Sequence, residues 1–144
     1  MSYYILSTIN RYNYCIAELS QAILTANTAR VSQIILELQA LQYTTGGAVA
    51  LGEGWLALER GDLAAAQAYC ERAIHTGLPL LALAAINRLV LAECAQRQGQ
   101  TVSATQHMLQ ALANAEAPVT SAVILGYAQA LGITLPSTED IGKT

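Results

Sequence analysis

Two histidines, three cysteines and two glycine pairs are the residues of this chain whose types could carry chemistry, and their spacing gives them little to work with. His75 has one acidic neighbour at helical spacing, Glu71, four positions before it. A lone i,i+4 pair of that kind reads as a solvated surface contact. His107 has no Asp, Glu or Cys at the spacing a metal ion needs. Cys15, Cys70 and Cys94 are odd in number and far apart, which argues against a disulfide framework or a zinc site and for buried small hydrophobes in a reducing cytoplasm. Gly46-Gly47 and Gly52-x-Gly54 lack the lysine and the strand context of a phosphate loop. No Ser, Cys and His grouping forms an activated nucleophile. The expectation is a protein that is not an enzyme, with no catalytic residue, no metal and no cofactor, whose work is done by a surface.

Composition narrows the kind of surface. The 144 residues make about one domain and are enough to bury a core. Only 12% are charged, 53% are hydrophobic and the mean hydropathy is +0.36. No apolar stretch reaches the roughly 18 uncharged residues a membrane span needs; the longest, Leu78 to Ala92, is interrupted by Asn87 and Arg88. No basic region with a cleavage site opens the chain as a signal peptide would. A core accounts for part of the apolarity, and an exposed apolar surface covered by a partner is the expectation for the rest. The net charge of −3, with Lys143 as the single lysine and six scattered arginines, excludes a basic patch for nucleic acid.

The elements that position this surface read as helices throughout. Ile5, Ile9, Tyr12, Ile16, Leu19 and Ile23 recur in steps of 4, 3, 4, 3 and 4, one stripe of a long helix over residues 3–26. The stripe packs on the chain's own next helix or on a partner. Asn27-Thr28 offers a break and a cap. Val31, Ile34, Ile35, Leu38 and Leu41 mark a second helix ending near Thr44-Thr45-Gly46-Gly47. Further helices are predicted at about 48–60, 63–75, 79–98, 102–115 and 119–131. Pro79 suits a first helical turn, and Pro118 breaks the chain again. From Ile133 onward a polar, aperiodic tail is expected to be disordered. Met1 and this tail read as the two ends of a whole gene product. The expected fold class is all-α, with about seven helices.

Gly54 to Pro79 organises the rest: an apolar run, the interruption Arg60-Gly61-Asp62, a second apolar-periodic run, and Gly77 with Pro79 to close it. Gly61 can take the positive φ that ends a helix, and Asp62 can cap the next. The unit is an αα-hairpin. Gly61, Ala66 and Ala73 recur as Gly99, Ala104 and Ala111, 38 positions on in each case. This hairpin resembles the tetratricopeptide repeat, whose period is 34. Glu53 and Gln100 depart from that family's pattern. The resemblance implies a right-handed stack of antiparallel hairpins, divided as a divergent or capping hairpin over 1–47, repeats over 48–79 and 80–117, a terminal helix over 118–132 and the tail over 133–144. The extra residues of the second repeat are expected at the start of the helix after Pro79. Carried over residue by residue, the family's groove-facing positions are Leu51, Trp55 and Leu58, then Ile86, Leu89, Glu93 and Arg97, then Val123 and Tyr127. Trp55 is expected to be partly exposed, although a helical aromatic stripe is as well explained by core packing.

The layout is also similar to the small helical-repeat chaperones and accessory proteins of bacterial type III secretion, with their opening non-repeat hairpin, a W-L-A-L-x-R-G-D hairpin (here Trp55 to Asp62) and a final helix after a proline. That resemblance implies a cytoplasmic protein-binding chaperone or adaptor, whose partner is another protein's amphipathic helix or extended apolar segment, a secretion-apparatus subunit included. The alternatives are a regulatory module of a bacterial transcription regulator and a homodimeric scaffold that associates with itself through the groove or the first helix.

Overall fold

Apolar residues at three- and four-residue spacing wind the described residues into seven helices. The computed structural model describes residues 2–41 and 46–136, with side chains from residue 7 onward, so the side chain of Ile5 of the first stripe, Thr44-Thr45 and the tail from residue 137 lie outside what is described. The helices are α1 (Ser2–Leu24), α2 (Thr28–Ala40), α3 (Ala48–Glu59), α4 (Leu63–Thr76), α5 (Leu81–Arg97), α6 (Thr101–Ala113) and α7 (Ser121–Leu131). Among the described residues there is no strand. A single antiparallel bridge between Glu116 and Val119 shapes the α6–α7 connection. The fold class is all-α, and no described helix is long and apolar enough to cross a membrane.

One turn recurs four times, at the end of every odd-numbered helix. Ala26, Gly61, Gly99 and Gly132 all have positive φ, at steps of 35, 38 and 33 residues. The residue after each sends its N–H back to the carbonyl five positions earlier: Asn27 to Ala22, Asp62 to Ala57, Gln100 to Ala95 and Ile133 to Ala128, at 2.8–2.9 Å. This bond and the left-handed residue satisfy carbonyls a helix end would leave free. Asn27 and Asp62 then cap the next helix through their side chains, accepting from the N–H groups of Arg30 and Ala65 at 3.1 Å. Gln100 makes no such cap.

Every helix packs on its neighbour in sequence. The odd-numbered helices also touch one another, α1 with α3 and α5, α3 with α5, and α5 with α7, while α2, α4 and α6 make no mutual contacts. The odd set forms an inner layer, with α5 at its middle. This explains the sequence of α5, which is apolar on all sides: Leu83, Ala85, Ile86, Leu89, Val90, Leu91, Ala92 and Cys94 are all buried, because neighbours surround it. Ala66, Ala73, Ala104 and Ala111 are wholly buried, as their small size anticipates. Gly54 belongs to the same close packing: a Cβ there would stand 2.7 Å from the Cys70 sulfur of α4.

Several expectations need correction. Pro79 lies outside α5, which starts at Leu81. The α5 N-terminus has no cap of its own, and the Glu116 carboxylate supplies one from the α6–α7 connection, accepting from the Ala82 N–H at 3.2 Å. The final helix starts at Ser121 because Val119 is buried within the connection. Ile133 completes the α7 end turn and is 8% exposed; residues 137–144 of the expected tail lie outside the described residues. Large apolar side chains left exposed include Tyr14, Leu36, Leu81, Val102, Val123 and Leu125.

Candidate functional site

Four helices bring apolar side chains to one cavity of about 190 Å³ in the inner layer. Helix α3 contributes Trp55. Helix α5 contributes Ile86, Leu89 and Val90, which its three- to four-residue spacing sets on one face. Val123 and Tyr127, one turn apart on α7, form another wall, and Ile23 and Leu24 at the end of α1 complete the ring. Val123 is 39% exposed and marks the way in.

A polar clasp lies beside the cavity. The Tyr127 hydroxyl donates to Glu93 Oε1, and Glu93 Oε2 pairs with the Arg97 guanidinium one turn on at 2.5 Å. Burial, then the bond to Glu93, raises the Tyr127 phenol above its ordinary range. Gln96 adds a second link from α5 to α7, donating to the Leu131 carbonyl at 3.2 Å. Trp55 and Glu93 stand six residues before the end turns at Gly61 and Gly99, and Tyr127 five before that at Gly132; Glu93 and Tyr127 are in direct contact.

Of the nine candidate residues, Trp55, Ile86, Leu89, Val123 and Tyr127 line the cavity, and Glu93 and Arg97 form the clasp. Leu51 and Leu58 do not belong to it. They are 0% and 3% exposed and lie in the core. Trp55 is not partly exposed but 6% exposed, because the end of α1 closes over a face that the repeat positions alone leave open. Ile23, Leu24 and Val90 complete the lining without having been candidates. Ile23 had a visible signal as the last member of the α1 stripe, but the bend that returns it to α5 is a tertiary event.

The residues first weighed for chemistry are dispersed. All three cysteines are free and buried. Burial pushes the Cys15, Cys70 and Cys94 thiols up to about 11, 12 and 11, which keeps them protonated and unreactive at neutral pH. His107 stands 3.3 Å from an Arg88 nitrogen, and burial followed by that positive charge lowers its pKa. Glu71 accepts from Gln67 at 3.1 Å, and both Glu71 and His75 are exposed. Among the described residues no group of three or more His, Cys, Asp or Glu could hold a metal ion. No protein-family model, curated protein or solved structure matches this chain.

Proposed function

We propose that this chain is a non-enzymatic protein-binding module, a tetratricopeptide-like stack of hairpins that captures an amphipathic, apolar helix of a partner protein. The observation that carries this reading is the apolar cavity ringed by Trp55, Leu89, Val123 and Tyr127 on the inner helices. The fourfold end turn at 26, 61, 99 and 132 supports the hairpin stack, since its steps bracket the 34-residue period of the family. A chaperone or adaptor of the type III secretion kind is the favoured form. The partner's apolar face replaces water over the mouth of the cavity at Val123, at about 25 cal/mol per Å² of apolar surface buried, and while held there it is kept from assembling with itself. Co-purification from the native host with mass spectrometry identifies the partner. Val123→Lys, which sets a charge at the mouth, is then expected to abolish capture at unchanged helix content; capture that survives it contradicts the reading.

A homodimeric scaffold is the second reading, and one observation favours it. Helix α1 has 23 residues against 13 in α2, and among its side chains described from residue 7 onward the first buried one is Cys15, while Tyr14 is 63% exposed. Molar mass by light scattering separates the readings: a dimer that α1 substitutions split supports the scaffold.

A further inference from the structure

Among the described residues, α7 is the inner helix that no following helix covers. Counted back from the four end turns, the seventh residue is Leu19, Gly54, Ala92 and Leu125, and the eleventh is Cys15, Ala50, Arg88 and Ser121. In the first three copies this face meets the helix that begins after the turn. Cys15 donates to Glu37 of α2 at 3.2 Å, a Cβ on Gly54 would stand 2.7 Å from the Cys70 sulfur of α4, and Arg88 lies 3.3 Å from His107 of α6. Leu19, Gly54 and Ala92 are accordingly buried. After the turn at Gly132 no helix follows among the described residues, and Leu125 is 49% exposed.

We propose that this face of α7 pairs, antiparallel and across a twofold axis, with α7 of a second copy of the chain. The surface is of the right kind. Ala66 and Ala73 bring α4 close against α3, and Ala104 and Ala111 of α6 are likewise wholly buried. On α7, Ala122, Gly126 and Ala130 recur every four residues and are exposed beside Leu125. A Cβ on Gly126 would meet nothing within 4 Å, so a second backbone has room to approach. The charge is also right. A twofold interface sets one patch against itself, which opposes like charges wherever the patch is charged, and α7 carries no charged residue from Ser121 to Leu131. The direction follows from the symmetry: a twofold axis across a helix makes the two copies antiparallel, as α2, α4 and α6 are to the helices they cover. Leu125 lies midway between Ser121 and Gln129, so an axis there sets Leu125 against its own copy. The pairing does not rest on the protein-binding reading. Val123 and Tyr127, two residues either side of Leu125, turn to the opposite side of the helix, and α1 takes no part.

One helix face is small beside a standard protein interface, so the association is weak and depends on concentration. Sedimentation equilibrium of the native protein, from micromolar to millimolar, is expected to show a monomer–dimer equilibrium. Leu125→Glu and Leu125→Arg each set two like charges face to face at the axis and should each weaken it by about tenfold or more. An equimolar mixture of the two variants should associate again. Gly126→Leu should split the dimer at unchanged helix content, and Tyr14→Lys on α1 should leave it intact. A native protein that stays monomeric over the whole range overturns the proposal. A dimer that Leu125→Glu spares, or that Tyr14→Lys splits, overturns it as well. Failure of the mixed variants to associate overturns the placement of Leu125 at the axis. A monomer whose Leu125 methyl resonances shift when residues 137–144 are deleted overturns the second copy in favour of the chain's own end.

Discussion

The Tyr127 hydroxyl donates its hydrogen bond to the Glu93 carboxylate, and with Gln96 on the Leu131 carbonyl it fastens the last helix to the central one. Glu93 is 8% exposed and also carries the Arg97 ion pair, so removing its phenolic donor leaves a buried carboxylate partly unsatisfied. Tyr127→Phe is expected to cost about 1–3 kcal/mol. A double-mutant cycle with Glu93→Gln, read by denaturant unfolding, should return a coupling of about 1 kcal/mol or more. Additive single costs would show that the bond contributes nothing to fastening α7.

Trp55 behaves in this account as a core residue whose one face meets a cavity. Trp55→Ala should lower stability by about 3–5 kcal/mol, visible as a shifted denaturant midpoint and lost helical circular dichroism under mild denaturant. A change below about 1 kcal/mol would mean that the indole is solvated and that α1 does not close over it.

Ala26 holds φ 55 where the three equivalent turns have glycine. The left-handed conformation costs a residue with a Cβ about 1–2 kcal/mol, and glycine returns part of that as unfolded-state entropy. Ala26→Gly is therefore expected to stabilise the protein by up to about 1 kcal/mol. Gly61→Ala and Gly99→Ala should destabilise it by a similar amount. Thermal melts of the three variants decide the point, and opposite signs would deny that the turns are equivalent.

The thiols predict an alkaline dependence of stability. Cys15, Cys70 and Cys94 have folded pKa values raised from 9.0 to about 11, 12 and 11, chiefly by burial. Below the unfolded value both states are protonated and stability is unaffected. As pH rises through 9.0 the unfolded thiols ionise first, so the unfolded state binds fewer protons and stability falls until the folded values are passed. Unfolding free energy should decline between pH 9 and about 11, less so in a variant with all three cysteines replaced by alanine. Alkylation of the native protein at neutral pH should be slow at all three.

Much of this architecture was legible locally. Gly61-Asp62 announces a helix end and a cap, and the alanines at 66, 73, 104 and 111 announce close contacts, because each property belongs to the residue or its immediate neighbours. Ala26 hid the first copy of the turn, since alanine gives no sign of positive φ. The site was legible only in part. Repeat positions put Trp55, Leu89 and Tyr127 on one side of the chain. Whether that side faces solvent depends on the path of α1, which no spacing within α3, α5 or α7 encodes. Leu51 and Leu58 are buried in the core and do not line this cavity. The cap that Glu116 gives α5 is likewise a long-range contact, 34 residues from the Ala82 N–H that donates to it.

The most direct test of the protein-binding account is site-specific photo-cross-linking in the native host. A photoreactive phenylalanine analogue is placed at Val123, at the mouth of the cavity, and separately at Leu109 and Ile74 on the outer helices α6 and α4, which are comparably exposed at 37% and 38%. The account predicts a discrete heteromeric adduct from Val123 and none from the outer positions. The adduct's cross-linked segment should be an apolar face of an amphipathic helix that, as an isolated peptide, binds the purified protein and shifts Trp55 fluorescence. Adducts from Leu109 or Ile74 with none from Val123 would contradict it.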